Sequence, residues 1–213
     1  MKLLNTNDLV ATITESILNQ YSQPNRIPIG ISNRHVHLSK ADLDTLFGQG
    51  FQLSVMKELS QPGQYASEQK VILVGPSGVI ENVRILGPVR DKTQVEVSLS
   101  DCFKLGIKAP LRDSGDLEGS SRITLVGSNG SVTISEGTII AARHIHMHTE
   151  DANKFQVVDK DRVCVKVQGP RGLIFDEVLV RVSEKYRLEM HVDLDEANAA
   201  GLGNGDSVEL INN

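Results

Sequence analysis

The chain has 213 residues, a formal net charge of −5, 39% hydrophobic residues and no run of Lys or Arg. This length suits one large domain or two small ones with a buried core of their own. The acidic balance excludes a nucleic-acid-binding surface, and no apolar run approaches the length of a membrane span. The N-terminus lacks a signal-peptide core. Cys102 and Cys164 sit alone in apolar stretches and read as buried packing residues, a usage suited to a reducing compartment. The expectation is a soluble, cytoplasmic protein with neither nucleic acid nor membrane among its partners.

Taken in chain order, residues 1–20 predict an amphipathic helix, because Leu9, Val10, Ile13, Ile17 and Leu18 share one helical stripe. Such a stripe either packs on the protein's own body or a partner subunit, or serves as a docking tag. "SQPNRIP" ends it. "RHVHLSKADLDTLF", from Arg34, predicts an extended segment and then a helix capped by Ser39 and stopped near Gly48. Val71 to Leu86 and Ile123 to Ile134 each read as strand, Gly-containing turn, strand, and "SDCFKLGI" between them as a short helix. "RHIHMHTEDANKF", from Arg143, repeats the earlier motif. A third hairpin spans Val163 to Val182, and a last helix starts near Asp193 and stops at Gly201. Short strands with short capping helices predict a mainly β protein built from compact barrels.

The recurrence extends beyond the histidine motifs. His35 and His144 lie 109 positions apart (144 − 35), and "VEVSLSDCFKLG" aligns with "MHVDLDEANAAG" at a spacing of 95 (191 − 96). The first and third hairpins align as well. Matched blocks in one order predict two duplicated β-barrels rather than a solenoid. The alignment sets Glu96 against His191, two residue types with little in common except that both bind zinc.

Each half therefore offers a His-x-His pair and one distant ligand-type residue: His35, His37 and Glu96 in the first, and His144, His146 and His191 in the second. In a strand, residues i and i+2 point to one face, so two imidazoles reach one ion while Val36 and Ile145 turn to the core. Three protein ligands with one open position is the pattern of a catalytic zinc site. His148 extends the second motif, but the first copy has Ser39 at that place. A single-barrel dioxygenase would want a carboxylate shortly after the pair, for which Asp42 is the nearest candidate. Arg84 and Arg90 flank a Gly-Pro turn, and Arg90 precedes Glu96 by six positions (96 − 90). Arg90 reads either as a solvated partner of Asp91 or as a planar donor fork for phosphate or carboxylate. The second copy has no clear counterpart.

"SNRHVHLS", "LSQPGQYASE", "ILGPVR", "RDSGDLEGS", "AARHIHMH" and "EMHVDLDEANA" closely resemble the PduL-type phosphotransacylases, also called phosphate propanoyltransferases, over nearly all of residues 27–211. That resemblance implies acyl transfer between coenzyme A and inorganic phosphate by an enzyme of two β-barrels and two zinc ions. It implies interleaving, with residues 21–33 and 142–213 forming one barrel and residues 34–141 the other. It assigns His35, His37 and Glu96 to one zinc, His144, His146 and His191 to the second, and Arg90 to phosphate. Gly30, Ile31, Ser32, Arg84 and Asn198 are similar to coenzyme A contacts. It also implies a homodimer and a role in fermentative or diol-degrading metabolism, sometimes inside a bacterial microcompartment. There the helix over 1–20 would engage shell or cargo proteins. A zinc thioesterase, or a binding module merely braced by metal, would fit the same ligand pattern.

Overall fold

The computed structural model describes residues 26–211 together with Val10 and Thr14, and the helix expected over residues 1–20 otherwise lies outside the described residues. In chain order the elements are β1 (Arg26–Ser32), β2 (His35–His37), α1 (Lys40–Phe47), β3 (Val55–Glu58), β4 (Tyr65–Val74), β5 (Val79–Gly87), β6 (Gln94–Glu96), α2 (Leu99–Leu105), β7 (Leu111–Arg112), β8 (Ser121–Val126) and β9 (Ser131–Ala141). There follow β10 (His144–Met147), α3 (Thr149–Phe155), β11 (Arg162–Val167), β12 (Leu173–Val182), β13 (Glu189–Asp193), α4 (Leu194–Ala200) and β14 (Ser207–Ile211). The three hairpins expected from sequence are β4–β5, β8–β9 and β11–β12.

These strands close two barrels. One runs β1-β13-β10-β12-β11-β14. The other runs β4-β5-β2-β6-β9-β8 and is closed by β8 on β4, with β3 and β7 added at its margins. The duplication is visible in the register. β1 lies parallel to β13, with Gly30 opposite His191, and β9 lies parallel to β6, with Ile139 opposite Glu96. The opening strand of each repeat thus completes the barrel of the other, so neither barrel closes without both repeats.

Each barrel is filled by its own apolar cluster. Val36 and Ile145, the middle residues of the two His-x-His pairs, are both fully buried in these clusters. Strand alternation therefore forces the flanking imidazoles to the opposite side. The helices seal the barrel ends and stop where their sequences say. Ser39 caps α1 by accepting from the Asp42 N–H, and Asp193 caps α4 in a reciprocal capping box with Glu196. α2 starts one turn-residue earlier than "SDCFKLGI" suggests, because Ser98 and Asp101 form a second capping box. α2 and α4 end at Gly106 and Gly201, repeat-equivalent residues with φ of 72° and 68°, where a side chain would be strained. Both cysteines are free thiols: Cys102 is buried as expected, whereas Cys164 is partly exposed on β11.

Candidate metal centres and the cleft between them

Short strands place the first ligand set. β2 and β6 pair antiparallel with His35 directly opposite Glu96, so the i, i+2 imidazoles and the carboxylate share one face. All three are nearly buried. The His35 Nδ1–H donates to the Asn33 carbonyl at 2.8 Å, which turns Nε2 to within 3.4 Å of Glu96 Oε2. The other carboxylate oxygen is taken: Glu96 Oε1 accepts from Gln94 Nε2 at 2.6 Å and Ser114 Oγ at 3.1 Å. Gln94 in turn accepts the Gly115 N–H at 2.9 Å. One oxygen is thus locked by the protein and the other is offered to the cluster.

The second set repeats the plan. β10 and β13 pair antiparallel with His144 opposite His191. The His144 Nδ1–H donates to the Ala142 carbonyl at 2.9 Å, the same i−2 bond that orients His35. Its Nε2 lies 3.1 Å from His146 Nε2. His191 Nε2 lies 2.6 Å from Glu189 Oε2. The ring of Tyr186 packs on His146 with centroids 4.5 Å apart.

Three observations fit each set to a divalent ion. The donor atoms within each trio all lie within 4.8 Å of one another. Tetrahedral zinc with bonds of about 2.0–2.1 Å sets neighbouring donors about 3.3 Å apart, and the structure has 3.4 Å across His35 and Glu96 and 3.1 Å across His144 and His146. Backbone carbonyls fix the tautomers of His35 and His144 so that Nε2 carries a lone pair, the usual outer support of a zinc-bound imidazole. In addition, His37 Nδ1 and His146 Nδ1 are buried without a hydrogen bond of acceptable geometry, although the Leu86 carbonyl is near enough to His37 to bias its proton. Buried polar atoms without a partner are rare in native proteins, and an ion at the cluster is one way to account for such a ring.

The electrostatics of the two sets differ. Burial, reinforced by His35, pushes His37 down to about 2. Burial, reinforced by His191, pushes His144 to about 4, and burial with His144 pushes His146 to about 2. Burial alone would also lower His35, but the Glu96 carboxylate more than offsets it and the pKa is raised. Burial would raise Glu96, yet His35 and then His37 hold it far below the usual carboxylate range. Burial thus favours the neutral forms of His144 and His146, whereas in the first set the ionised Glu96 favours the protonated form of His35.

Both sets face one cleft of about 720 Å³, and His35, Glu96, His144 and His191 also line a water-sized void of about 20 Å³ between them. Arg90 enters the cleft beside β2, where its N–H donates to the Leu38 carbonyl at 2.9 Å. The ion pair with Asp91 is not formed. Arg181, which sequence reasoning missed, enters from β12 in register with His146. Burial lowers Arg90, and Arg181 is close enough to lower it further. Among the described residues neither guanidinium has a carboxylate partner. Gly30, Ile31, Ser32 and Arg84 line the same cleft, with Arg84 tied to the Ser67 and Glu68 carbonyls. Asn198 stands exposed on α4, outside the cleft lining, whereas Asn204 lines it and accepts the Ile31 N–H at 2.8 Å. His148 is the N-cap of α3 and accepts from the Glu150 N–H, the role that Ser39 has in α1. Asp42 is bonded to Ser39 and Thr93 and joins neither ligand trio.

A duplicated double barrel that turns two matched ligand trios and two unpaired arginines towards one cleft has the architecture of an enzyme acting on an anionic substrate. The family model described as phosphate propanoyltransferase matches residues 28–203. A phosphate propanoyltransferase from Thermotoga maritima is 59% identical over 186 residues, covering 87% of this chain and 89% of that protein. Relatives with the same name from Shewanella putrefaciens and Clostridioides difficile are 52% and 47% identical, each covering 96% of this chain and 97% and 98% of their own length. The chain belongs to the phosphate propanoyltransferase family, and with it to the acyltransferase enzymes. Among the described residues no helix is long and apolar enough to cross a membrane.

Proposed function

We propose that the protein interconverts a short-chain acyl-CoA, propanoyl-CoA or a similar thioester, and inorganic phosphate with acyl phosphate and coenzyme A. Two zinc ions would be held, one by His35, His37 and Glu96 and one by His144, His146 and His191. The observation that carries this reading is the convergence of both trios on a single cleft that also holds Arg90 and Arg181 without counter-ions. Two part-buried guanidiniums that share one cleft favour a bound anion, and their planar forks suit phosphate.

The chain's own residues do the positioning. Arg90 and Arg181 hold phosphate with one oxygen free to attack the thioester carbonyl carbon. As the new C–O bond forms, the C–S bond breaks and the thiolate leaves, so transfer is direct. Zinc, when bound, supplies Lewis acidity towards developing negative charge and an open position for a thiolate. Neither cysteine lines the cleft, and the Ser114 hydroxyl is engaged by Glu96 and Gln94. The segment Gly30–Ser32 and Arg84 form the wall suited to coenzyme A. The chain would act as a homodimer, and the segment 1–20 would serve as an encapsulation tag within a microcompartment. Deleting that segment without changing enrichment in shells would remove the last idea.

The deciding experiment is CoA release from propanoyl-CoA with and without phosphate, run beside elemental analysis. Phosphate-dependent release with about two zinc ions per chain supports the proposal. Free acid produced regardless of phosphate indicates a thioesterase. An acyl group trapped on the protein in a single-turnover quench would refute direct transfer.

A further inference from the structure

We propose that Glu189 is the positioning residue of the His144–His146–His191 centre, the counterpart of Gln94 in the first centre with the hydrogen-bond polarity exchanged. The inference rests on the reading that this trio holds a metal.

The two residues occupy equivalent places. Gln94 lies on β6 opposite His37, and Glu189 lies on β13 opposite His146. Each precedes the third ligand of its set by two positions and so shares its face of the strand. In the first centre the ligand is a carboxylate, an acceptor, and Gln94 donates an amide N–H to it at 2.6 Å. In the second the ligand is an imidazole, a donor, and Glu189 offers a carboxylate oxygen to Nε2 at 2.6 Å. Ligand and neighbour have changed together, so that a short, charge-assisted bond survives in both halves. A carboxylate on Nε2 keeps the proton there and leaves the Nδ1 lone pair of His191 for coordination.

Room for this carboxylate is built in. Gly30 pairs with His191 across β1 and β13, and a Cβ at Gly30 would lie 2.8 Å from Glu189 Cδ. The equivalent place opposite Glu96 is Ile139, where a large side chain is accommodated. The glycine is thus specific to the half that carries the carboxylate. Glu189 is also held from the other barrel: Ser60, in the β3–β4 loop, donates to the same Oε2, and Gln61 exchanges two hydrogen bonds with the backbone of Arg187 at 3.0 and 3.2 Å.

The test is chelator competition for zinc on the full chain, comparing wild type with Glu189→Gln, Glu189→Ala, Gly30→Ala and the Gly30→Ala/Glu189→Ala double variant. One of two zincs should be lost about 10–100-fold more readily in each single variant, the other being held as in wild type. Gly30→Ala should add nothing on top of Glu189→Ala, because the clash it creates is with the removed carboxylate. Urea unfolding of chelator-stripped Glu189→Gln, which keeps an acceptor oxygen for Ser60, should match stripped wild type. Unchanged zinc affinity in Glu189→Gln, additive effects in the double variant, or an equal loss of stripped-protein stability would each overturn the proposal. Fewer than two zincs on wild type would instead overturn the metal reading, and this inference with it.

Discussion

In the metal-free state the protein should be acid-labile in a way that its buried imidazoles specify. His37, His144 and His146 are 3%, 8% and 6% exposed, and burial holds them at about 2, about 4 and about 2. Their folded pKa values lie below the ordinary 6.5, so at pH 7.5 neither the folded nor the unfolded form carries the protons. As pH falls through 6.5 the unfolded chain takes up protons that the folded chain refuses, and stability is lost. Between pH 7.5 and 5.5 each group should cost on the order of 1 kcal/mol, and the three together roughly 3–4 kcal/mol. His35, whose pKa is raised, opposes this in part. Against a typical total stability of about 5–15 kcal/mol, the change is large. Urea unfolding of chelator-treated protein at the two pH values measures it. His146→Leu, a swap of similar volume, should remove about a third of the loss while leaving the rest. A stripped protein with the same urea midpoint at both pH values, or a His146→Leu variant with an undiminished pH dependence, would refute the account of these rings as neutral and proton-excluding.

Three further outcomes are expected. Arg90→Ala should raise the KM for phosphate about 10-fold or more, the equivalent of losing a charge-assisted hydrogen bond, with zinc content unchanged; Arg181→Ala should do the same, and metal loss in either would assign that arginine a structural role. His35→Ala or Glu96→Ala should each leave about one zinc per chain by elemental analysis, and two would contradict the ligand assignment. Ile145→Ala, which opens a cavity behind the second His-x-His pair, should cost about 2–5 kcal/mol in urea unfolding, with two zincs still bound at saturating metal.

Local rules made much of the protein legible in the sequence. The period of two in a strand put His35 with His37 and His144 with His146, and turned Val36 and Ile145 to the cores. Turn glycines marked the three hairpins, and Ser39, Asp193, Gly48 and Gly201 marked helix ends, because caps and turns are satisfied by residues a few positions away. The duplication added one long-range inference, the match of Glu96 with His191. The same spacing also matches Gln94 with Glu189 (189 − 94 = 95), two positions before Glu96 and His191.

The remaining parts depend on contacts between distant segments, which only the closed barrels create. Arg181 has no motif around it and becomes notable only when β12 sets it in register with His146 and in the same cleft as Arg90. Ser60 reaches Glu189 from the opposite barrel across 129 positions of chain. His148 looked like an extension of a ligand motif until the end of β10 made it a helix cap. The sequence by itself determined which side chains share a strand face and therefore which trios exist. The tertiary structure decided that both trios open onto one cleft, because β1 and β9 are exchanged between the barrels and bring the two faces together.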